Sequence, residues 1–249
     1  LERKNDANNN QYGTLYFWPP NEISSAEILL SLHGVDGSAF IRLDSVSHVR
    51  FEELSFELTR ADGFIINDSH NVLIDRCNLR NIGRHGVVTE NCVRVGVLNS
   101  ELYAIGSEGV RLSGGDRQTL TPGRNFVRNS HIHNFSRWKR TYSQAIRFHK
   151  GAGNEATHNL IHGTPHIAIQ YSGNDHLIRY NEIYNSCWET GDAGVIMGDW
   201  GWDGRGNRIV DNYLHDNVSR YGGRGEFNAV YLDGSCAGDT IAGNVFYNS

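Results

Sequence analysis

One short phrase recurs along this chain and restricts what it can fold into. A small polar residue is followed by any residue, then an apolar one, with a second polar residue two further on. It reads Cys77-Asn78-Leu79-Arg80-Asn81, Ser100-Glu101-Leu102 and Ser130-His131-Ile132-His133-Asn134. It continues as Asn159-Leu160-Ile161, Asn181-Glu182-Ile183-Tyr184-Asn185, Asn212-Tyr213-Leu214-His215-Asp216 and Asn244-Val245-Phe246-Tyr247-Asn248. The first residues fall at 77, 100, 130, 159, 181, 212 and 244, so the unit advances by 22 to 32 residues. A period in that range marks a solenoid, with length variation confined to loops.

Each unit carries a second apolar run that opens on Gly or Ala, such as Gly109-Val110-Arg111-Leu112, Ala145-Ile146-Arg147-Phe148 and Ala168-Ile169-Gln170-Tyr171. Alternation turns one residue inward and the next outward. A third short run precedes the polar phrase, as in Val72-Leu73-Ile74 and Arg208-Ile209-Val210. Three strands per unit with no helical period between them predict an all-β right-handed parallel β-helix of about seven coils. Asn159, Asn181, Asn212 and Asn244 would then stack. Each would bond its neighbours through the amide and hold a left-handed or bridge conformation at a bend. Glycine, at 28 of 249 residues, and abundant asparagine are poor helix formers and agree with this reading.

Residues 1–46 lack the phrase and read as a small N-terminal β cap. Residues 47–249 read as the solenoid, cut in its last coil. Two strands are expected in the cap, over Gly13–Pro20 and Glu27–Leu32. The first residue is Leu1 and the last phrase ends one residue before Ser249, which reads as a piece excised from a longer chain. Cys187 and Cys236 are the first candidates for a disulfide. The net charge of −5 and the lack of basic runs argue against a nucleic-acid partner. No apolar run is long enough for a spanning helix. A monomer is expected.

Loops that widen on one side of a solenoid mark its binding face. Here they gather Trp138, Trp188, Glu189, Asp192, Asp199, Trp200, Trp202, Arg220, Arg224 and Glu226. Indole faces beside carboxylates suit sugars. Glycoside hydrolysis needs two carboxyl groups across the bond. Asp192, Asp199, Glu226 and Asp233 are the catalytic candidates. Asp192 faces Glu226 on the next coil, and Asp199 faces Asp233. Asp192 and Asp233 are about 20 Å apart along the strand unless the loops fold back. Arg147, His149, His166, Gln170, Glu189, Trp200, Trp202 and Tyr231 are the substrate-binding candidates. His158, His162 and His166 are spaced by four, but a strand and a turn place them on different faces. No metal or cofactor is therefore expected. His131, His133 and His215 fall in the repeat columns, as structural residues.

Several longer stretches carry a more specific likeness. They include Gly13-Thr14-Leu15-Tyr16-Phe17-Trp18-Pro19-Pro20, Leu112-Ser113-Gly114-Gly115-Asp116-Arg117, Phe135-Ser136-Arg137-Trp138, Glu189-Thr190-Gly191-Asp192-Ala193-Gly194 and Tyr231-Leu232-Asp233. Together they resemble the bacterial β-helix proteins of glycoside hydrolase family 141. The resemblance implies a secreted or periplasmic enzyme of plant-glycan breakdown, with fucosidase- or xylanase-like activity, and a longer parent chain. It carries Asp192 and Asp233 over as the acidic pair. The chain departs at Gly198-Asp199-Trp200-Gly201-Trp202, where the family tends to place an Arg before the Asp-Trp. The alternatives are a polysaccharide lyase or epimerase, which needs a cationic groove, and a non-catalytic glycan-binding solenoid.

Overall fold

The computed structural model describes residues 2–5, 11–14, 31, 33, 37–199, 201–219 and 227–249. Two compact units result, Leu1–Leu30 and Ser31–Ser249. In the first, Glu2–Asn5 pairs antiparallel with Gln11–Thr14. Of the expected cap strands, Gly13–Pro20 is described only at Gly13 and Thr14, the end of that pairing, and Glu27–Leu32 only at Ser31.

The second unit is a right-handed parallel β-helix of three sheets, each with eight strands. The first sheet, called here the groove sheet, runs from Ile41–Asp44 through Phe64–Asn67, Val87–Glu90, Val110–Leu112, Ile146–Phe148, Ile169–Tyr171 and Ala193–Gly198 to Phe227–Leu232. The second runs from Ser47–Glu52 to Thr240–Ala242 and the third from Ser55–Thr59 to Val245–Tyr247. That makes eight coils rather than seven. Ser55-Phe56-Glu57 pairs with Asn78-Leu79-Arg80 as a full coil, but Leu54 stands where the other coils carry a polar residue, so the phrase is not visible there. No helix among the described residues is long and apolar enough to cross a membrane.

Inward positions of the three sheets meet in one core. Phe64, Val87, Val110, Ile146, Ile169 and Ile196 occupy one register position on six successive coils and are all buried. Successive backbones approach closely where these strands begin. A Cβ on Gly63, Gly86 or Gly109 would lie 2.5 Å from the carbonyl oxygen of the next coil, so a side chain is excluded at those positions.

The asparagine column forms. Asn181 Nδ2 donates to Asn212 Oδ1 (2.9 Å) and to the Ala156 carbonyl (2.9 Å). Its own Oδ1 accepts from Asn159 N–H (3.1 Å) and Nδ2 (2.9 Å). The left-handed residue, however, is the one before the column. Glu53, Arg76, Asn99, Asn129, His158, Tyr180, Asp211 and Gly243 all have φ between 46° and 66°. The column side chains hold the bend, and the residue before each one makes it. A second ladder, which the repeat phrase does not reveal, runs through Asn125, Asn154, His176 and Asn207. Replacing Asn181 with alanine strands several buried groups at once, each costing about 1–3 kcal/mol when unsatisfied. Urea denaturation should show a loss of about 2–4 kcal/mol. Asn67→Ala, which removes an exposed bond to Asp44, should cost less than about 0.5 kcal/mol. Equal losses would contradict the role of the ladder.

His176 replaces asparagine in the second ladder. Its Nδ1 accepts from Asn154 N–H (3.1 Å), and its Nε2–H donates to the Ser172 carbonyl (3.1 Å). Burial lowers its pKa to about 4, and His166 is lowered to about 4 for the same reason. An unfolded histidine titrates near 6.5. Between pH 6.5 and 4 the unfolded chain therefore binds more protons, and stability falls as pH drops through that window. His176→Asn keeps the acceptor without the titration. Its urea midpoint should change less between pH 7 and pH 5 than that of the unaltered protein. An unchanged pH dependence would contradict the assignment.

All four cysteines are free, so the expected Cys187–Cys236 bridge does not form. Cys187 is buried and its thiol donates to the His166 carbonyl (3.4 Å), whereas the Cys236 thiol donates to the Asp199 carbonyl (3.2 Å).

Candidate functional site

The groove sheet carries one row of side chains across its outer face. Register aligns Val88, Arg111, Arg147, Gln170, Met197 and Tyr231 on six successive coils. Two neighbourhoods of chemistry lie along it.

The first is centred on Glu108, whose side chain is fully buried. Arg111 Nε donates to it at 2.6 Å, Arg147 Nη1 lies at 3.3 Å, and His85 Nε2 at 3.7 Å. Burial alone would raise the pKa of Glu108. The Arg111 hydrogen bond and the Arg111, His85 and Arg147 charges outweigh it and hold the carboxyl below the usual range. His85 Nδ1 bonds Asp62, also buried, at 2.7 Å. Arg147 continues the network to Asp199 at 3.6 Å. Sequence reasoning missed Asp62, His85 and Glu108. A signal was available, since each immediately precedes the close-approach glycine that opens its groove strand, at Gly63, Gly86 and Gly109. His149, one row further along, has its pKa lowered by burial and by the Arg147 and Arg111 charges.

The second neighbourhood lies on the last two coils. Tyr231 donates its hydroxyl to Asp192 Oδ1 at 3.1 Å. The Asp192 hydrogen bond raises the pKa of that hydroxyl first, and the Asp233 charge raises it next, helped by a weaker hydrogen bond. One phenol thus senses both carboxylates. The Tyr231 hydroxyl therefore lies within hydrogen-bonding distance of Asp192 and within electrostatic reach of Asp233. Asp199 and Asp233 each follow a paired position, Gly198 with Leu232, on adjacent coils. Both act on the Cys236 thiol, whose pKa is pushed up to about 11 by burial and by the Asp239, Asp233 and Asp199 charges.

Other expected binding residues are placed differently. Gln170 is 4% exposed and accepts from Gln144 Nε2 at 2.6 Å. His166 is 2% exposed, and its Nδ1 accepts the Tyr142 N–H at 3.2 Å. Both side chains are buried, with Gln170 Oε1 and His166 Nδ1 already accepting hydrogen bonds within the fold, and His166 senses the Asp192 charge. Glu189 forms a bidentate pair with Arg140, Nε donating at 2.8 Å. Trp202 is exposed. Trp200, Arg220, Arg224 and Glu226 lie outside the described residues, so the Asp192–Glu226 pairing does too.

Two open clefts lie near the bend between the third sheet and the groove sheet. One, of ≈ 420 Å³, is lined by Arg60, Gly83, Arg137 and Trp138. Its neighbour, of ≈ 370 Å³, shares Ala104 and Arg137 and adds Arg140, Pro165 and Trp188. The Trp138 N–H donates to the Gly106 carbonyl at 2.8 Å, and its side chain is 82% exposed.

The family known as right handed beta helix region matches residues 62–249. The chain belongs to that family. No curated protein matches it. Among solved structures, this β-helix is similar to a glycoside hydrolase at 13% identity and a TM-score of 0.55. The match covers 76% of this chain and 38% of that one. An alginate lyase from a Paenibacillus species aligns at 15% identity with a TM-score of 0.47, covering 86% and 76% of the two chains. A siphovirus tailspike receptor binding domain aligns at 12% identity with a TM-score of 0.45, covering 98% and 61%. At these identities the likeness to the glycoside hydrolase concerns the fold.

Proposed function

We propose that this β-helix is a glycoside hydrolase acting on a neutral plant-type polysaccharide or its side-chain sugars. One observation carries the reading: the Tyr231 hydroxyl donates to Asp192 on the preceding coil at 3.1 Å, and Asp233 lies two residues from that tyrosine. Hydrolysis of a glycosidic bond needs one carboxyl to protonate the leaving oxygen and another as nucleophile or base. The tyrosine bonds Asp192, and Asp233 follows that tyrosine on the adjacent coil. Asp199, tied to Arg147 at 3.6 Å, stands beside them to orient hydroxyls. The Trp138 and Trp188 clefts supply ring surface for sugar faces further along the coil. The likeness to glycoside hydrolase family 141 points the same way. It adds a fucosidase- or xylanase-like specificity and a secreted or periplasmic setting, with the enzyme acting as a monomer.

A lyase reading finds less support. A uronate substrate needs unmatched positive charge, whereas Arg111 and Arg147 face Glu108, and Arg147 also faces Asp199. Reducing-sugar release on arabinoxylan, fucosylated xyloglucan and polyuronates tests the choice. Release from the neutral glycans alone supports hydrolysis. Cleavage of polyuronates with unsaturated ends moves the assignment to a lyase. Binding without cleavage of any of them moves it to a binding solenoid.

A further inference from the structure

The outer face of the third sheet carries a cluster that the glycan reading does not use. His131 and His133 are two apart on one strand and so point to the same face. His162 pairs with His133 on the next coil. Glu101 pairs with His131 on the preceding coil. Potential ligand atoms of the three histidines all lie within 4.8 Å of one another. His131 Nε2 and His162 Nε2 face each other at 2.8 Å. Glu101 Oε1 lies 3.5 Å from His131 Nδ1 and 3.3 Å from His133 Nε2.

We propose that His131, His133 and His162 form a binding site for a first-row divalent cation, zinc by preference, with Glu101 as the supporting carboxylate. Imidazole nitrogens are the ligands that zinc, copper and nickel favour, and three of them are the protein share of many open zinc sites. The two facing Nε2 atoms are held by a single N–H between them, which a cation replaces once the proton of His131 sits on Nδ1. Glu101 is placed to accept that Nδ1–H, and such a carboxylate fixes the tautomer that ligates. Side chains of His131 and His133 remain 35% and 15% exposed, so the cluster is reachable from solvent.

Ring stacking alone does not account for the arrangement. The same face continues to Tyr184 and His215, stacked at 5.1 Å. There the nitrogens do not converge on other histidines. His215 Nδ1 and Nε2 are taken by Asp216 at 2.8 Å and Glu182 at 3.3 Å. The sequence pattern of spacing by four could not reveal the cluster, because its members come from neighbouring coils rather than from one helix.

The test uses the chain stripped of metal with a chelator, then dialysed against zinc and separately against cobalt(II). One zinc per chain is expected, and cobalt should give the intense visible bands of a four-coordinate nitrogen site. His162→Phe keeps a ring between His133 and Tyr184 and should weaken zinc binding at least about tenfold. Glu101→Gln should weaken it by about 10–100-fold, and His215→Phe should leave it unchanged. Because the ligands come from two coils, saturating zinc should also raise the melting temperature. Sub-stoichiometric zinc, a pale cobalt spectrum of the aqueous kind, or equal losses in His215→Phe and His162→Phe would each overturn the proposal. The cobalt spectrum needs no substitution and decides the matter even if His162→Phe fails to fold. None of these outcomes depends on the glycan reading.

Discussion

Asp233→Asn is expected to lower glycan turnover by about 10²–10⁴-fold, the range over which a positioned acid or base contributes to a rate. Asp192→Asn should fall in the same range. Both changes preserve side-chain volume and remove the acid, base or nucleophile function of the carboxyl group. Asp192 is exposed and Asp233 half-buried, so melting temperatures should stay close to that of the unaltered protein. Tyr231→Phe removes the donor to Asp192 but neither carboxylate, and its loss should be smaller. Asp199→Asn breaks a contact with Arg147 and should act more on KM than on kcat. Steady-state kinetics on the responsive glycan check the ordering. Full activity in Asp233→Asn would remove this carboxylate from the mechanism.

Glu108→Gln is expected to cost about 3–5 kcal/mol of stability, the usual loss when one partner of a buried ion pair is removed. Arg111 and Arg147 would then face each other across a neutral amide, with His85 beside them. The carboxyl of Glu108 is held below its ordinary range in the folded state. Its stabilising share is therefore complete above pH 4.5 and is lost as pH falls through the folded value. That window lies below the one assigned to His176. A urea titration at several pH values separates the two. Glu108→Gln should lose stability at pH 7 and flatten the curve below pH 4.5, while the histidine step remains. A loss under about 1 kcal/mol at pH 7 would show that the two arginines do not depend on this charge.

The solenoid was legible because its restraints repeat. Asn159, Asn181, Asn212 and Asn244 stand in register with two apolar columns, and a stacked coil is the arrangement that satisfies all three. The first coil was hidden because Leu54 breaks the phrase, and the left-handed residue was misplaced by one. Asparagine tolerates that conformation, but here the side chain that bonds the next coil and the backbone that turns are different residues. Asp192 and Asp233 were legible as candidate acids from their residue type and loop position. The Tyr231–Asp192 hydrogen bond was not, because it joins two coils. Gln170 and His166 were legible as outward-facing or bordering positions, but loop packing buried them. Glu108 was missed because charged residues before glycines read as turns until the coils are superposed. Histidine clusters show the same limit, since the chemistry of a solenoid face is set between coils and not along the chain.

The most direct test of the central claim is product mass spectrometry after cleavage in water labelled with heavy oxygen. Hydrolysis by Asp192 and Asp233 predicts one labelled oxygen per cleaved bond, in the new sugar end, with product formed about 10²–10⁴-fold more slowly by Asp233→Asn. Unlabelled products that are one water lighter would contradict it, because they would show an elimination that the two carboxylates do not perform.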